Sequence, residues 1–179
     1  RLSVHLVRVE LGGRVTTPAR DVGGLSLGRP YGDGAFHVSG EGSGTIVYTR
    51  GTAERPAHLA VLRGGTEAQG LADLNADVLG RRALARLEGL SVPSRHDGLP
   101  IDAWVALPPG FRADGTAPLI LEIHGGPNAM YGPFFAAEIQ RYGAEGYVVV
   151  YANPRGSTGY GEAFALRIDQ AYPGHDHDD

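Results

Sequence analysis

Two short apolar runs, Leu119–Ile123 and Tyr147–Tyr151, each stop at a glycine-rich loop, "HGGP" after the first and "NPRGSTGYG" after the second. An apolar run without polar alternation, closed by glycine, reads as a strand buried on both faces, the form that parallel sheets require. Between the runs, "FFAAEIQRYGAEG" carries Phe135, Ile139 and Tyr142 at helical spacing, with Gly143 or Gly146 to end the helix. "GEAFALRIDQAY" supplies a second helix after the second loop. Strand, helix, strand, helix is the order of an α/β sheet.

The chain ahead of this unit has a different texture. "RLSVHLVRVEL" alternates apolar and polar residues through Leu2, Val4 and Leu6, while "GTIVYTRGT" and "HLAVLRGG" flank a break at 54–56 as hairpin partners do. This is antiparallel β material. The sequence opens inside a strand-like stretch without a Met, so further chain is expected ahead of it. From about Asn75 a weak helix begins, with Asn75 as its expected N-cap. "RLEGLSVPS" and "LPIDAWVALP" then flank an Asp97-Gly98 hairpin turn.

Composition excludes several functions. With 42% apolar and 20% charged residues over 179 positions, the chain can bury a core and is not a disordered segment. A net charge of −4 argues against a nucleic-acid surface, and no run approaches the roughly 18 apolar residues of a membrane span. There is no cysteine, so disulfides, thiolate nucleophiles and Cys-ligated metals are out; the expected location is the cytoplasm, although a secreted protein can also lack cysteine. All sixteen basic residues are arginine, which leaves a Walker A loop or a Schiff base without its lysine. No cofactor and no metal is expected.

The chemistry is expected at the two loops. Ligands of open α/β sheets sit at the carboxyl ends of the strands. At Gly125 and Gly126 no Cβ covers the backbone N–H groups, so a substrate oxygen can approach them. Donors aimed at one such oxygen stabilise an alkoxide, and losing one costs roughly 3–4 kcal/mol. In the second loop Arg155 either grips a carboxylate or ties neighbouring loops together, the second being favoured. Ser157 has no partner base visible in the sequence, and His96 and Asp97 read as turn residues. "GLSLG" around Ser26 matches G-x-S-x-G, but it lacks the strand before and the helix after that a nucleophile elbow needs. The closing "HDHDD", 175–179, carries ligand-type side chains but reads as the solvated approach to a helix whose N-terminus would favour Asp178 or Asp179.

Taken together, "HGGP", the following helix, "GYVVVYANPRGSTGYG" and the acidic "D-x-D-D" resemble the catalytic domain of the prolyl oligopeptidase family of serine peptidases, closest to its acylaminoacyl-peptidase and dipeptidyl-peptidase-like branch. The resemblance is strong from Leu99 to Asp179 and weak by motif over the first 70 residues. It implies residues 1–72 as the last strands of a β-propeller and residues 73–179 as the N-terminal part of an α/β-hydrolase domain. Gly126, with Gly125, would form the oxyanion hole. His124, Pro127, Asn153, Arg155 and Gly156 would shape the loops, His124 packing beneath rather than acting as a base.

The family's nucleophile elbow, Asp and His come later than these motifs, so the triad is expected downstream of Asp179, in the remainder of the same polypeptide. The implied substrates are short peptides, with no nucleic acid or membrane partner; a homo-oligomer is compatible with the sequence. The chain alone is expected to be inactive. A carboxylesterase of the same fold, a non-catalytic α/β-hydrolase-like binding protein, and a remnant of a proteolysed enzyme are the alternatives.

Overall fold

The computed structural model describes residues 2–40, 44–64, 69–126 and 128–179, which leaves Pro127 outside the described residues. The chain forms two compact units, one made of residues 3–82 with 134–136, the other chiefly of residues 83–133 and 137–179.

The first unit is antiparallel. Strands β1 (Leu6–Val9) and β2 (Val15–Ala19) form a hairpin, and β3 (Phe36–Val38), β4 (Ile46–Arg50), β5 (His58–Leu62) and β6 (Gln69–Gly70) form a sheet in that order. The expected hairpin pairs in register, with Tyr48 opposite Ala60. Both side chains are buried in a core with Leu6, Ala19 and Val22. After it, α1 (Ala76–Leu79) is a single turn. Asn75 stands at its N-cap position, but its side chain makes no cap bond; its carbonyl instead accepts the N–H groups of Val78 and Leu79. With Gly80 directly after that turn, there is no apolar stripe to extend the helix.

In the second unit, β7 (Arg86–Pro93) and β8 (Pro100–Leu107) make the long hairpin across Asp97-Gly98. Strand β9 (Leu119–Glu122), helix α2 (Ala137–Ala144) and strand β10 (Val148–Ala152) follow, then the short α3 (Glu162–Ala165). The sheet order is β7-β8-β10-β9, with β10 parallel to β9 and antiparallel to β8. Val149 and Tyr151 of β10 join Ile101, Ala103, Trp104 and Ala106 of β8 in the core, where the Trp104 and Tyr151 rings stack at 5.4 Å. Ile139 buries the inner face of α2, and Gly143 is where the helix comes closest to Ala85: a Cβ there would lie 2.7 Å from that methyl. Gly146, at φ +90, ends the helix, its N–H bonding to Gly143 O and the Tyr147 N–H to Tyr142 O, the two bonds of a Schellman close.

Three expectations are corrected. Strand β9 is parallel but not buried: Leu119 is 65% and Leu121 61% exposed. It has a neighbour on one side only, and no described element covers the face these residues share. Phe135 lies ahead of α2 and groups with the first unit, so it is not part of the helical stripe. The second helix lasts one turn before tightening into a 3₁₀ turn at Leu166–Ile168, and Asp169 then returns to extended backbone. No helix among the described residues is long and apolar enough to cross a membrane.

Candidate active site

Because β9 and β10 run parallel and adjacent, the two glycine-rich loops leave the same edge of the sheet. His124, Gly125 and Gly126 follow β9; residues 153–161 follow β10. Both contribute to a cavity of about 480 Å³, whose wall includes Gly125, Gly126, Ser157, Ile168 and Tyr172. No carbonyl among the described residues accepts the N–H of Gly125 or Gly126. A backbone donor left unspent at a cavity wall is available to a ligand oxygen.

Asn153 fixes the base of this edge. It is fully buried, and its side chain imitates a strand neighbour for Tyr131: Oδ1 accepts the Tyr131 N–H at 2.7 Å, and Nδ2 donates to the Tyr131 carbonyl at 2.8 Å. Nδ2 also donates to the Tyr160 hydroxyl at 2.9 Å, which in turn donates to Asp102 Oδ2 at 3.1 Å. Burial pushes the Tyr160 phenol up, so it remains a neutral donor. The Asn153 backbone N–H bonds to Asp102 O, so strands β8 and β10 carry this network together.

Ser157 is not alone. Its Oγ lies 3.1 Å from His124 Nε2, a contact across the two loops that nothing in either motif signals. The Ser157 hydroxyl also lies 2.7 Å from the Pro154 carbonyl, and which way the His124 contact runs depends on which ring nitrogen carries the proton. His124 Nδ1 meets Gly125 O at 3.0 Å, and the ring packs edge-on against Tyr131 at 4.9 Å. With Ser157 only 1% exposed, this contact joins the loops and presents no nucleophile.

Arg155 is a clamp. Its guanidinium donates to Asp179, to both carboxylate oxygens of Asp97 and to Ser94 Oγ, at 2.7–3.3 Å. Asp97 is therefore more than a turn residue, although it also accepts the Leu99 N–H. The Asp179 side chain is fully buried against Arg155, and the preceding His175–Asp178 segment is a 3₁₀ turn. Gly156, next to the clamp, adopts φ +93, and a Cβ there would fall 2.4 Å from Ile168 Cδ1. No side chain fits. Ser26 lies in irregular chain, with neither a strand before it nor a helix after it.

Comparison with known proteins agrees with these motifs. Residues 133–179 match the Prolyl oligopeptidase family. The uncharacterized peptidase YuxL of Bacillus subtilis is 37% identical over 126 residues, covering 70% of this chain and 19% of that protein. The acylaminoacyl peptidase of Pyrococcus horikoshii superposes with a TM-score of 0.75 at 31% identity, over 93% of this chain and 24% of that one. An acylaminoacyl peptidase solved with Z-Gly-Gly-Phe-chloromethyl ketone gives 0.72 at 33% identity, over 84% and 23%. The chain thus spans roughly a fifth to a quarter of the length of these relatives.

Proposed function

We propose that this chain, whose residues 133–179 belong to the prolyl oligopeptidase family, is part of a serine peptidase that hydrolyses short peptides by acyl transfer. The observation that carries the reading is the pair of unspent N–H groups at Gly125 and Gly126, on a cavity at the carboxyl edge of parallel strands. They would hold the oxyanion as a serine attacks the peptide carbonyl. Residues 1–72 would be the closing strands of a propeller, and residues 73–179 the first part of the hydrolase domain.

The triad would lie in the remainder of the polypeptide. Two contacts between a Ser side chain and a His ring stand among the described residues, Ser157–His124 and Ser3–His5. A working base has its second ring nitrogen held by a carboxylate. His124 Nδ1 meets a carbonyl instead, and His5 Nδ1 has no partner among the described residues. That supports a chain which shapes the site but does not itself attack. Short peptides as substrates are supported by the peptide-derived inhibitor in the solved relative, and a cytoplasmic location is part of the same proposal.

The test is fluorophosphonate labelling of the complete protein, followed by peptide mapping. Label on a serine outside residues 1–179 is expected, and label on Ser157, Ser3 or Ser26 would refute the assignment. Gly126→Pro, which deletes the N–H, is expected to lower kcat by about 10²–10³ with the labelled serine still present.

A further inference from the structure

Away from the cavity, two segments distant in sequence are tied together. The turn of the β7–β8 hairpin and the 3₁₀ turn His175–Asp178 are joined by a bond from the Arg95 N–H to Asp178 O. Arg155 fastens the same two segments from beneath, gripping Ser94 and Asp97 of one and Asp179, directly after the other. This brings the His96 and His175 rings face to face, centroids 3.3 Å apart and planes 10° from parallel. His175 Nδ1 lies 3.0 Å from Asp178 Oδ2. One nitrogen from each imidazole and one carboxylate oxygen all fall within 4.8 Å of one another.

We propose that His96, His175 and Asp178 form a binding site for a divalent transition-metal ion of the zinc class. Two imidazole nitrogens and one carboxylate oxygen are the donors such ions take, and three protein ligands leave a position for water. In a tetrahedral site with bonds of about 2.0–2.1 Å, neighbouring ligand atoms stand about 3.3 Å apart. The His175–Asp178 contact is already close to such an edge, with a proton where the ion would sit. His96 brings a ring nitrogen within 4.8 Å of the other two ligand atoms, and all three side chains are accessible to solvent. The carrying segments are preorganised, because the buried Arg155 sets their spacing whether or not an ion is bound. Asp97 and Asp179 are spent on Arg155, and Arg167 pairs with Asp97, which leaves Asp178 as the carboxylate for the histidines. An ion there would be a second clasp across the two segments Arg155 joins.

The experiment is a Zn²⁺ titration of the full chain by calorimetry, with histidine ring protons followed by NMR and Tm measured with and without Zn²⁺. Saturation at one ion per chain is expected, with shifts of the His96 and His175 ring signals and a raised Tm. His96→Ala and His175→Ala are each expected to weaken binding about tenfold or more and to abolish the Tm rise, since even losing a residue that only orients a ligand costs 10–100-fold. His37→Ala, at an exposed position in β3, is expected to change nothing. The substituted side chains are exposed, so circular dichroism is expected to match the parent. Unchanged affinity in both His96 and His175 variants, or no saturable binding by the folded chain, would overturn the proposal.

Discussion

Arg155 and Asp179 meet through two parallel hydrogen bonds, Nε to Oδ2 at 2.9 Å and Nη2 to Oδ1 at 2.7 Å, while the Arg155 backbone N–H reaches the same carboxylate at 2.7 Å. The two side chains are 6% and 0% exposed. Removing one member of such a pair strands the other's charge. Arg155→Met is therefore expected to cost about 3 kcal/mol of stability by urea unfolding. Arg155→Lys keeps the charge but not the fork, and is expected to recover only part of the loss.

The same pair sets an acid limit. Burial pushes the Asp179 carboxyl up, but hydrogen bonds from the Arg155 side chain, Ser94 and the Arg155 N–H outweigh it and hold the group below its ordinary value. Asp97 is likewise lowered, chiefly by its bond from Arg155 and then by the Leu99 N–H. Each group binds its proton more weakly in the folded state, so its contribution is complete above the unfolded pKa of about 3.9 and is lost as pH falls through the folded values. The urea midpoint is expected to hold steady down to about pH 4 and then to drop. In Arg155→Met the bonds from the guanidinium are lost while those from Ser94 and the residue-155 N–H remain, so Asp179 is held down less and the acid loss is expected to be smaller than in the parent.

Asn153→Asp puts an acceptor where Nδ2 now donates to the Tyr131 carbonyl and the Tyr160 hydroxyl. A buried carboxylate against a carbonyl oxygen is expected to cost roughly 3 kcal/mol or more, read as a lowered Tm and urea midpoint.

Gly156→Ala brings both a left-handed φ and a methyl 2.4 Å from Ile168 Cδ1. The expected loss is about 2–4 kcal/mol. Combining it with Ile168→Ala removes all three struck atoms, Cδ1, Cγ1 and Cγ2, but not the backbone strain. The double variant is expected to be more stable than the sum of the two single losses implies.

Local signals in the sequence carried far. Asp97-Gly98 between two alternating runs located the β7–β8 hairpin, and the strand–helix–strand order located the β9–β10 pair. What it could not show was which distant side chains meet. Ser157 and His124 are joined because their loops leave neighbouring strands, and Asp97 and Asp179 because both reach Arg155. His96 comes beside His175 for the same reason. Strand β9 misled because an apolar run reports the burial its residues suit, and the elements described cover only one of its faces. The second helix is shorter than its residue pattern predicts because spacing alone does not reveal an end at Asp169.

The clamp also has a place in time. Arg155 reaches its partners across 24, 58 and 61 residues, whereas the β7–β8 hairpin closes over a short turn. Loop closure favours the hairpin, which can form early, and puts the clamp on the native side of the folding barrier. Contacts made that late scarcely affect how fast a chain folds, but they govern how slowly it comes apart. The clamp would then act as a latch, and its removal should steepen loss of structure on standing while refolding rates stay almost unchanged.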